Sequence, residues 1–173
     1  MIRRDMLKLG GMTAVGIAAG GRAVAAVPGR APTGAVLYDE RFAEGRAFAA
    51  AARAGGARAF ATAQDALSLL RARDLPLTGL AGLTSYADMV VIAGLAAEAR
   101  QGFAFRIAHV VEGEAASHRL VDGPQSCLGL LETAGSRWPQ GLWSLAAGAP
   151  PRAAQISGAA ARRAATLWSW AIA

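Results

Sequence analysis

Cysteine is nearly absent from this 173-residue chain, which has only Cys127. A lone cysteine excludes an intramolecular disulfide, a zinc site built on cysteines and an iron–sulfur cluster within the chain. We expect Cys127 to be a buried, inert thiol; an intermolecular bridge and a reactive nucleophile at a helix start are the alternatives. The fold therefore depends on a hydrophobic core, and 54% of the residues are hydrophobic.

Charged residues are also sparse, at 17% of the chain, and they do not cluster. Apart from Lys8 every basic residue is Arg, and the densest groups are Arg162-Arg163 and the pair Arg71 and Arg73. A nucleic-acid-binding surface needs a basic stripe on one face. The formal net charge of +6 supplies none, since three of the six charges lie within residues 1–25. We therefore predict no nucleic-acid partner.

Motifs of catalysis and cofactor binding are missing. The chain has no G-x-S-x-G nucleophile elbow and no P-loop, and no G-x-G-x-x-G follows a predicted strand. Its two histidines, His109 and His118, lack the spacing of a metal-binding motif. We therefore predict neither a cofactor nor a metal.

Long apolar runs are missing as well, because no stretch reaches the roughly 20 strongly apolar residues of a transmembrane helix. The chain instead starts with basic residues and continues with a mild, Gly- and Ala-rich run to about Ala26. Arg3-Arg4 is followed by Asp5-Met6-Leu7-Lys8. This segment resembles the twin-arginine (Tat) export signal of bacteria. Ala23-Val24-Ala25 fits the small-x-small cleavage pattern that ends such signals.

The resemblance implies export of the folded protein to the periplasm by the Tat translocase, with residues 1–25 as signal peptide and 26–34 as linker. It also implies no stable membrane span after cleavage. A larger exported redox enzyme is the implied partner, because Tat export often serves such enzymes. An uncleaved signal that acts as an anchor and an ordinary amphipathic N-terminal helix are the alternatives.

The rest of the chain, residues 35–173, has the pattern of a single α/β domain. Hydrophobic periodicity predicts strands at 35–39, 57–62, 80–83, 103–111, 117–122 and 166–172, and helices at 42–53, 64–73, 85–100, 127–134 and 153–165. The last strand can also be read as helix, and Pro139-Gln140-Gly141 predicts a break in the ambiguous segment 123–150. The order predicts a three-layer α/β sandwich with a mixed sheet: parallel N-terminal βα units, then an antiparallel hairpin and C-terminal strand.

Polar side chains follow two of the predicted strands, where ligands of open α/β sheets bind by a fold-level analogy. Asp39 and Arg41 follow the first strand, and Thr84 and Ser85 follow the third, where a helix begins. Free backbone N–H groups at a helix start favour an anion, so we predict that these residues bind a small carboxylate or phosphate ligand. The alternative is structural: the side chains cap the two helices, and Arg41 pairs with a carboxylate.

Five alternating residues share one face of the predicted strand at 103–111: Phe103, Phe105, Ile107, His109 and Val111. We include His109 in the predicted ligand-binding set; the alternative is a core histidine with one hydrogen bond. His118 is predicted to face His109 across the hairpin. That pair with Glu112 or Glu114 is a weaker metal-site hypothesis.

Four tryptophans are concentrated in the last third of the chain: Trp138, Trp143, Trp168 and Trp170. The first interpretation is core packing, with Trp168, Trp170 and Ile172 on one face of the last strand; the second is an apolar patch that binds a partner. The sequence thus predicts an exported accessory or small-ligand-binding protein without its own catalysis. The alternative is a small hydrolase or isomerase that uses Asp39, His109 and Ser85.

Overall fold

Six strands form one mixed sheet in the computed structural model, which describes residues 33–62, 66–148 and 164–173. The strands are β1 (Ala35–Tyr38), β2 (Arg58–Ala61), β3 (Leu80–Thr84), β4 (Phe103–Glu112), β5 (Ala115–Asp122) and β6 (Ala165–Ile172). The helices are α1 (Ala43–Ala54), α2 (Ala66–Arg73), α3 (Tyr86–Glu98), α4 (Ser126–Ala134) and α5 (Trp138–Ala147), with a 3-10 turn at Gly135–Arg137. The predicted signal at 1–25 and most of the helix predicted at 153–165 lie outside the described residues.

The strand order is β2-β1-β3-β6-β4-β5. Strand β1 runs parallel to β2 and β3, whereas β6 is antiparallel to both β3 and β4 and β4 is antiparallel to β5. The C-terminal strand is therefore inserted between the βα units and the hairpin. The predicted mixed sheet, with parallel units first and antiparallel strands after them, is confirmed.

Helices cover both faces of the sheet and make three layers. On the α1/α4/α5 face, these helices pack on buried residues of β1, β3, β4 and β6 in a cluster that includes Val36, Phe48, Leu83, Ile107, Leu131, Leu142 and Leu167. On the α2/α3 face, the cluster includes Leu37, Leu70, Leu80, Met89, Ile92, Trp170 and Ile172. Trp168 is partly buried against this second cluster, so the predicted shared face of Trp168, Trp170 and Ile172 is confirmed.

Glycine at position 82 is required by the close approach of Trp170. The two residues are paired across β3 and β6, and a Cβ at Gly82 would overlap the indole ring. Trp170 is fully buried and its indole N–H donates to the Thr84 hydroxyl, 3.1 Å away. A small residue on β3 thus makes room for Trp170, the largest fully buried side chain of the α2/α3 cluster.

A bulge corrects the predicted face of β4. Phe103 pairs with Ile172 and Phe105 pairs with Ala171, so Ala104 is an extra residue without a partner in β6. An extra residue shifts the alternation of a strand. Phe105 consequently packs in the α1/α4/α5 cluster and Phe103 packs against the α2/α3 cluster. The prediction that Phe103 and Phe105 share one face is therefore wrong. The predicted alternation is correct from Phe105 to Val111.

The break predicted at Pro139-Gln140-Gly141 is also wrong, because these residues begin α5. Proline fits the first turn of a helix, where its missing N–H would have no partner within the helix. Gly141 is needed there for packing: a Cβ would lie 3.0 Å from the Ala134 Cβ of α4. Helix α5 ends at Gly148, whose φ of 63° suits glycine.

Candidate functional site

The loop after β1 holds the first predicted pair, Asp39 and Arg41. Asp39 is only 2% exposed, and its carboxylate accepts hydrogen bonds from the Arg41 backbone N–H at 3.1 Å and from the guanidinium Nε and Nη2 at 2.9 and 2.5 Å. These hydrogen bonds and the carboxylate charge raise the pKa of Arg41. The Arg41 side chain remains 70% exposed, so the pair consists of a buried acid covered by a solvated cation.

The start of α3 holds the second predicted pair. Ser85 is the N-cap: its Oγ accepts the Asp88 backbone N–H at 3.2 Å and donates to the Asp88 carboxylate at 2.9 Å. Thr84 is fully buried and accepts the hydrogen bond of Trp170. The structural alternative is thus confirmed in part: Arg41 pairs with Asp39, and Ser85 caps α3. Asp39 does not cap α1, whose N-cap is Phe42 without a side-chain hydrogen bond. The predicted anion ligand stays a prediction.

We call Asp39, Arg41, Ser85 and Asp88 the sheet-edge cluster. The four residues lie near one another, since the Asp88 carboxylate adds to the charges that raise the pKa of Arg41. Their carboxylates and hydroxyl bond within the cluster, as described above. A ligand at this edge would have to compete with those bonds, which lowers its affinity.

The structure does not bring His109 to the sheet-edge cluster. Strand β6 separates β4 from β3, which places the two strands about 10 Å apart. In addition, His109 shares the α1/α4/α5 face with Ile107 and Val111, whereas Thr84 bonds to Trp170 on the other face. The hydrolase hypothesis needs Asp39, Ser85 and His109 at one site, whereas in this conformation His109 is fully buried and bonded to Ser169 and His118.

A second polar group, which we call the histidine chain, lies inside the α1/α4/α5 face. It comprises Ser169, His109 and His118, one from each of β6, β4 and β5. His109 Nε2 is 2.7 Å from Ser169 Oγ, and His109 Nδ1 is 2.7 Å from His118 Nδ1. The predicted facing of the two histidines across the hairpin is confirmed by their direct pairing.

Trp138 closes the histidine chain from the helix layer. Its ring stacks on His109 with a centroid distance of 4.4 Å and an interplanar angle of 21°, and it contacts the ring of His118 at 5.2 Å. Ser169 and His109 are fully buried, while His118 is half-buried. The chain thus runs from the core towards the surface, with His118 at its outer end.

Both hydrogen bonds of the neutral histidine chain can form in either of two tautomeric arrangements. A neutral imidazole has one N–H donor and one acceptor nitrogen, so only one of the two Nδ1 atoms carries the shared proton. In the first state His109 Nδ1–H donates to His118 and His109 Nε2 accepts the Ser169 hydroxyl. In the second state His118 Nδ1–H donates to His109, and His109 Nε2–H donates to Ser169.

Both imidazoles are held neutral near pH 7. Burial lowers the pKa of His109 well below its usual value, and the charge that His118 acquires on protonation lowers it further. Burial also lowers the pKa of His118, while the charge of Glu132 on α4 opposes that change. Glu132, and not Glu112 or Glu114, is therefore the carboxylate that acts on His118.

The geometry of the histidine chain, as it stands, suits neither a reachable nucleophile nor a metal site. Ser169 contacts an imidazole as a nucleophile would, but it is fully buried and no substrate reaches it in this conformation. The two Nδ1 atoms of the metal hypothesis are occupied by each other. Within residues 33–62, 66–148 and 164–173, no group of three or more His, Cys, Asp or Glu side chains is placed to hold a metal ion. Cys127 is buried, as expected.

Sequence reasoning missed Ser169, Trp138 and Glu132 as partners of the histidines. Ser169 gave a weak signal: it alternates with Leu167 and Ala171, so a hydroxyl falls on an apolar strand face and needs a buried partner. Trp138 and Glu132 gave none, because their contacts depend on how α4 and α5 fold back over the hairpin.

A third feature is an exposed apolar area on the α2/α3 face, which we call the open strip. It comprises Tyr86 and Val90 of α3 and Val110 and Val121 of the hairpin, which are 57, 47, 41 and 42% exposed, with the partly buried Trp168 between them. Tyr86 and Trp168 are in contact, with ring centroids 5.2 Å apart. In the described part of the chain, helices α2 and α3 leave β4 and β5 uncovered on this face.

Comparisons with known proteins give no relative from which a role could be transferred. A scan against family models finds no matching family, and searches of curated proteins and of solved structures find no match.

Within residues 33–62, 66–148 and 164–173, no helix has both the length and the hydrophobicity needed to cross a bilayer.

Proposed function

We propose that this chain is an exported accessory domain, without catalysis of its own, that binds a partner protein through the open strip. The observation that carries the proposal is the position of its exposed hydrophobic side chains. Five large hydrophobic side chains are exposed among the described residues, and four of them, Tyr86, Val90, Val110 and Val121, lie beside the half of the sheet that α2 and α3 leave uncovered. Contiguous exposed apolar patches of this kind mark interaction sites more often than isolated exposed residues do.

The dimensions of the open strip favour a helix as the partner element. Two uncovered strands span about 10 Å, and an α-helix with its side chains is about 10–12 Å wide. Helix α3 already forms one wall through Tyr86 and Val90. A partner helix with an apolar face would therefore lie beside α3 and complete the layer over β4 and β5. Arg119, which is exposed on the same face opposite Ala108, favours an acidic residue on that helix.

The state of the polar residues supports a binding role over a catalytic one. The sheet-edge cluster is bonded within itself, and the Ser169 hydroxyl is buried beneath the helix layer. A hydrolase or isomerase needs a nucleophile or base that reaches its substrate. Small-ligand binding at Asp39, Arg41, Thr84, Ser85 or His109 remains the second candidate, and it would require the ligand to displace these bonds.

Export rests on Arg3-Arg4 and on the resemblance of residues 1–25 to a Tat signal. Replacing both arginines with lysine keeps the charge and removes the twin-arginine pattern. We expect the R3K/R4K precursor to stay in the cytoplasmic fraction at full length, while the unchanged chain appears in the periplasm without residues 1–25. Equal export of both chains would contradict the Tat route.

Site-specific photo-crosslinking in the native host tests the open strip. A crosslinker at Val110 or Val90 should capture one periplasmic protein, which we expect to be a larger exported enzyme. A crosslinker at the exposed Ser136, in the helix layer on the other side of the sheet, is the matched control. Val110→Glu should abolish capture from position 90 without changing thermal unfolding. Capture that is equal at position 136, or unaffected by Val110→Glu, would contradict the proposal.

A further inference from the structure

The histidine chain connects three strands to the helix layer through hydrogen bonds that depend on its protonation. Among the described strands β5 lies at an edge of the sheet and pairs with β4 alone, and its His118 contacts Trp138 and the His109 ring. Ser169 belongs to β6 and His109 to β4. In addition to the β4–β5 ladder, two imidazoles and one hydroxyl therefore join the edge of the sheet to the start of α5.

The histidine chain can bind one proton without losing a hydrogen bond. In the second neutral state His118 donates from Nδ1 and leaves Nε2 as an acceptor on its more exposed side. A proton taken up at Nε2 makes His118 an imidazolium without breaking the Nδ1–Nδ1 hydrogen bond. His109 stays neutral, accepting at Nδ1 and donating from Nε2 to the Ser169 hydroxyl.

A second proton, which charges both imidazoles, breaks the hydrogen bond between them. With both rings protonated, each Nδ1 carries a hydrogen, and two N–H groups then point at each other across 2.7 Å. The hydrogen bond is lost and two positive charges meet in a buried space, where water cannot screen them. The rings must separate, and the simplest movement is displacement of the edge strand β5 with His118 away from His109 and Trp138.

We propose that the histidine chain is an acid-sensitive latch, which fastens β5 and the start of α5 to the sheet near neutral pH and releases β5 when both imidazoles are protonated. The latch is independent of the open strip and of export. It lies on the α1/α4/α5 face and requires only the Ser169–His109–His118 geometry.

Among the described residues, few charged and titratable groups belong to the elements packed around the latch. The packed elements carry Cys127 and Glu132 on α4, Arg137 in the 3-10 turn, Arg106 and Glu112 on β4, and Arg119 and Asp122 on β5; β6 and α5 carry none. Arg106 and Asp122 pair with each other at 3.3 Å. Glu132 is the group whose charge acts on His118, and it favours the first proton.

The direction of the pH effect follows from the lowered pKa values. Both pKa values lie below the ordinary value near 6.5, so the released form binds more protons than the latched form once the pH falls below that value. Release is therefore favoured by acid and suppressed above about pH 7. Each proton taken up on release changes the opening constant by at most about tenfold per pH unit, so two protons give at most about 100-fold.

Hydrogen exchange of the full chain, read by mass spectrometry between pH 7.5 and 5 and corrected for intrinsic exchange rates, tests the latch. We expect the opening constant of β5 to rise as the pH falls below 6.5, by up to about tenfold per pH unit for each proton that is taken up on release. Strand β2, the other edge strand, is the internal control and should not change. Unchanged β5 protection, or loss of protection in β2 at the same rate, would overturn the proposal.

Two variants sharpen the result. His118→Gln keeps a side-chain donor but cannot titrate. The factor by which the opening constant of β5 changes per pH unit should therefore be up to about tenfold smaller than in the unmodified protein. Glu132→Gln lowers the pKa of His118 further in the latched form and should therefore shift the opening curve to higher pH. Glu114→Gln in the exposed β4–β5 turn should leave the curve in place. An unaltered slope in His118→Gln, or equal curves for the two glutamate variants, would contradict the latch. The slope of the unmodified protein decides the question by itself if His118→Gln does not fold.

Discussion

The sheet-edge cluster and the histidine chain use similar hydrogen bonds in opposite settings. In the sheet-edge cluster, Asp39 bonds to Arg41 and Ser85 bonds to Asp88, so partners are two or three residues apart and partly solvated. In the histidine chain, the two bonds span 9 and 60 residues and are largely buried. The first group shapes a loop and a helix start, whereas the second joins three strands.

The comparison separates two kinds of polar contribution to this fold. Charged groups near water retain much of their hydration, and their pairing contributes little to stability. Neutral groups in a dry interior contribute more when all are paired, and they cost more when one partner is removed. The histidine chain should therefore dominate both the stability and the pH dependence of the domain. Four substitutions test this ranking, and all are to be measured by urea unfolding at pH 7.5.

His109→Ala should have the largest effect. It removes a buried ring stacked on Trp138 and leaves the Ser169 hydroxyl without its partner, for a loss of about 3 kcal/mol or more in the free energy of unfolding. His118→Gln, at the half-buried end of the same chain, is the control and should cost less. A loss below 1 kcal/mol for His109→Ala would contradict the importance given to the histidine chain.

Asp39→Ala should rank second. The buried carboxylate accepts the Arg41 backbone N–H, and its removal frees that donor and the guanidinium, for an expected loss of about 1–2 kcal/mol. Asp39→Asn keeps an acceptor for the N–H and should recover part of the loss. If Asp39→Ala costs more than His109→Ala, the ranking of the two clusters is wrong.

Ser85→Ala should rank third, with a loss of about 1 kcal/mol from the N-cap of α3. Ser85→Asp is the matched variant, because an Asp cap accepts the same Asp88 N–H. The Asp88 carboxylate beside it makes the recovery incomplete. Full stability of Ser85→Ala would mean that the cap contributes nothing to α3.

Arg41→Ala should have the smallest effect, below about 1 kcal/mol, because the exposed guanidinium is screened by water and salt. Repeating the measurement in 1 M NaCl should bring the loss close to zero. A loss that is large and insensitive to salt would mean that the Asp39–Arg41 pair behaves as a buried ion pair, and the distinction between the clusters would fail.

Most of the fold could be predicted because its periodicities are local. Strands β1, β3, β4 and β6 and the helices α1 and α3 lie within a few residues of the predicted segments, since buried strands and amphipathic helices have distinct apolar spacing. The bulge at Ala104 and the start of α5 at Trp138 were not predictable in this way. Each depends on a pairing or packing contact made by residues distant in sequence.

The candidate sites were predictable to different extents for the same reason. His109 and His118 face each other because hairpin register follows from a short turn, and the sequence contains that turn. Ser169 joins them only because β6 inserts between β3 and β4, an order that no local pattern specifies. The position of His109 relative to Ser85 could not be predicted either, because it depends on the same strand order.

Nuclear magnetic resonance of the imidazole nitrogens tests the central claim most directly. Long-range 1H–15N correlation spectra assign the charge and tautomer of each histidine. At pH 7.5 we predict two neutral rings, one protonated at Nδ1 and the other unprotonated there, with His118 titrating before His109 as the pH falls. Two rings that both carry hydrogen only at Nε2, or a His109 that is charged near pH 7, would contradict the hydrogen-bonded histidine chain.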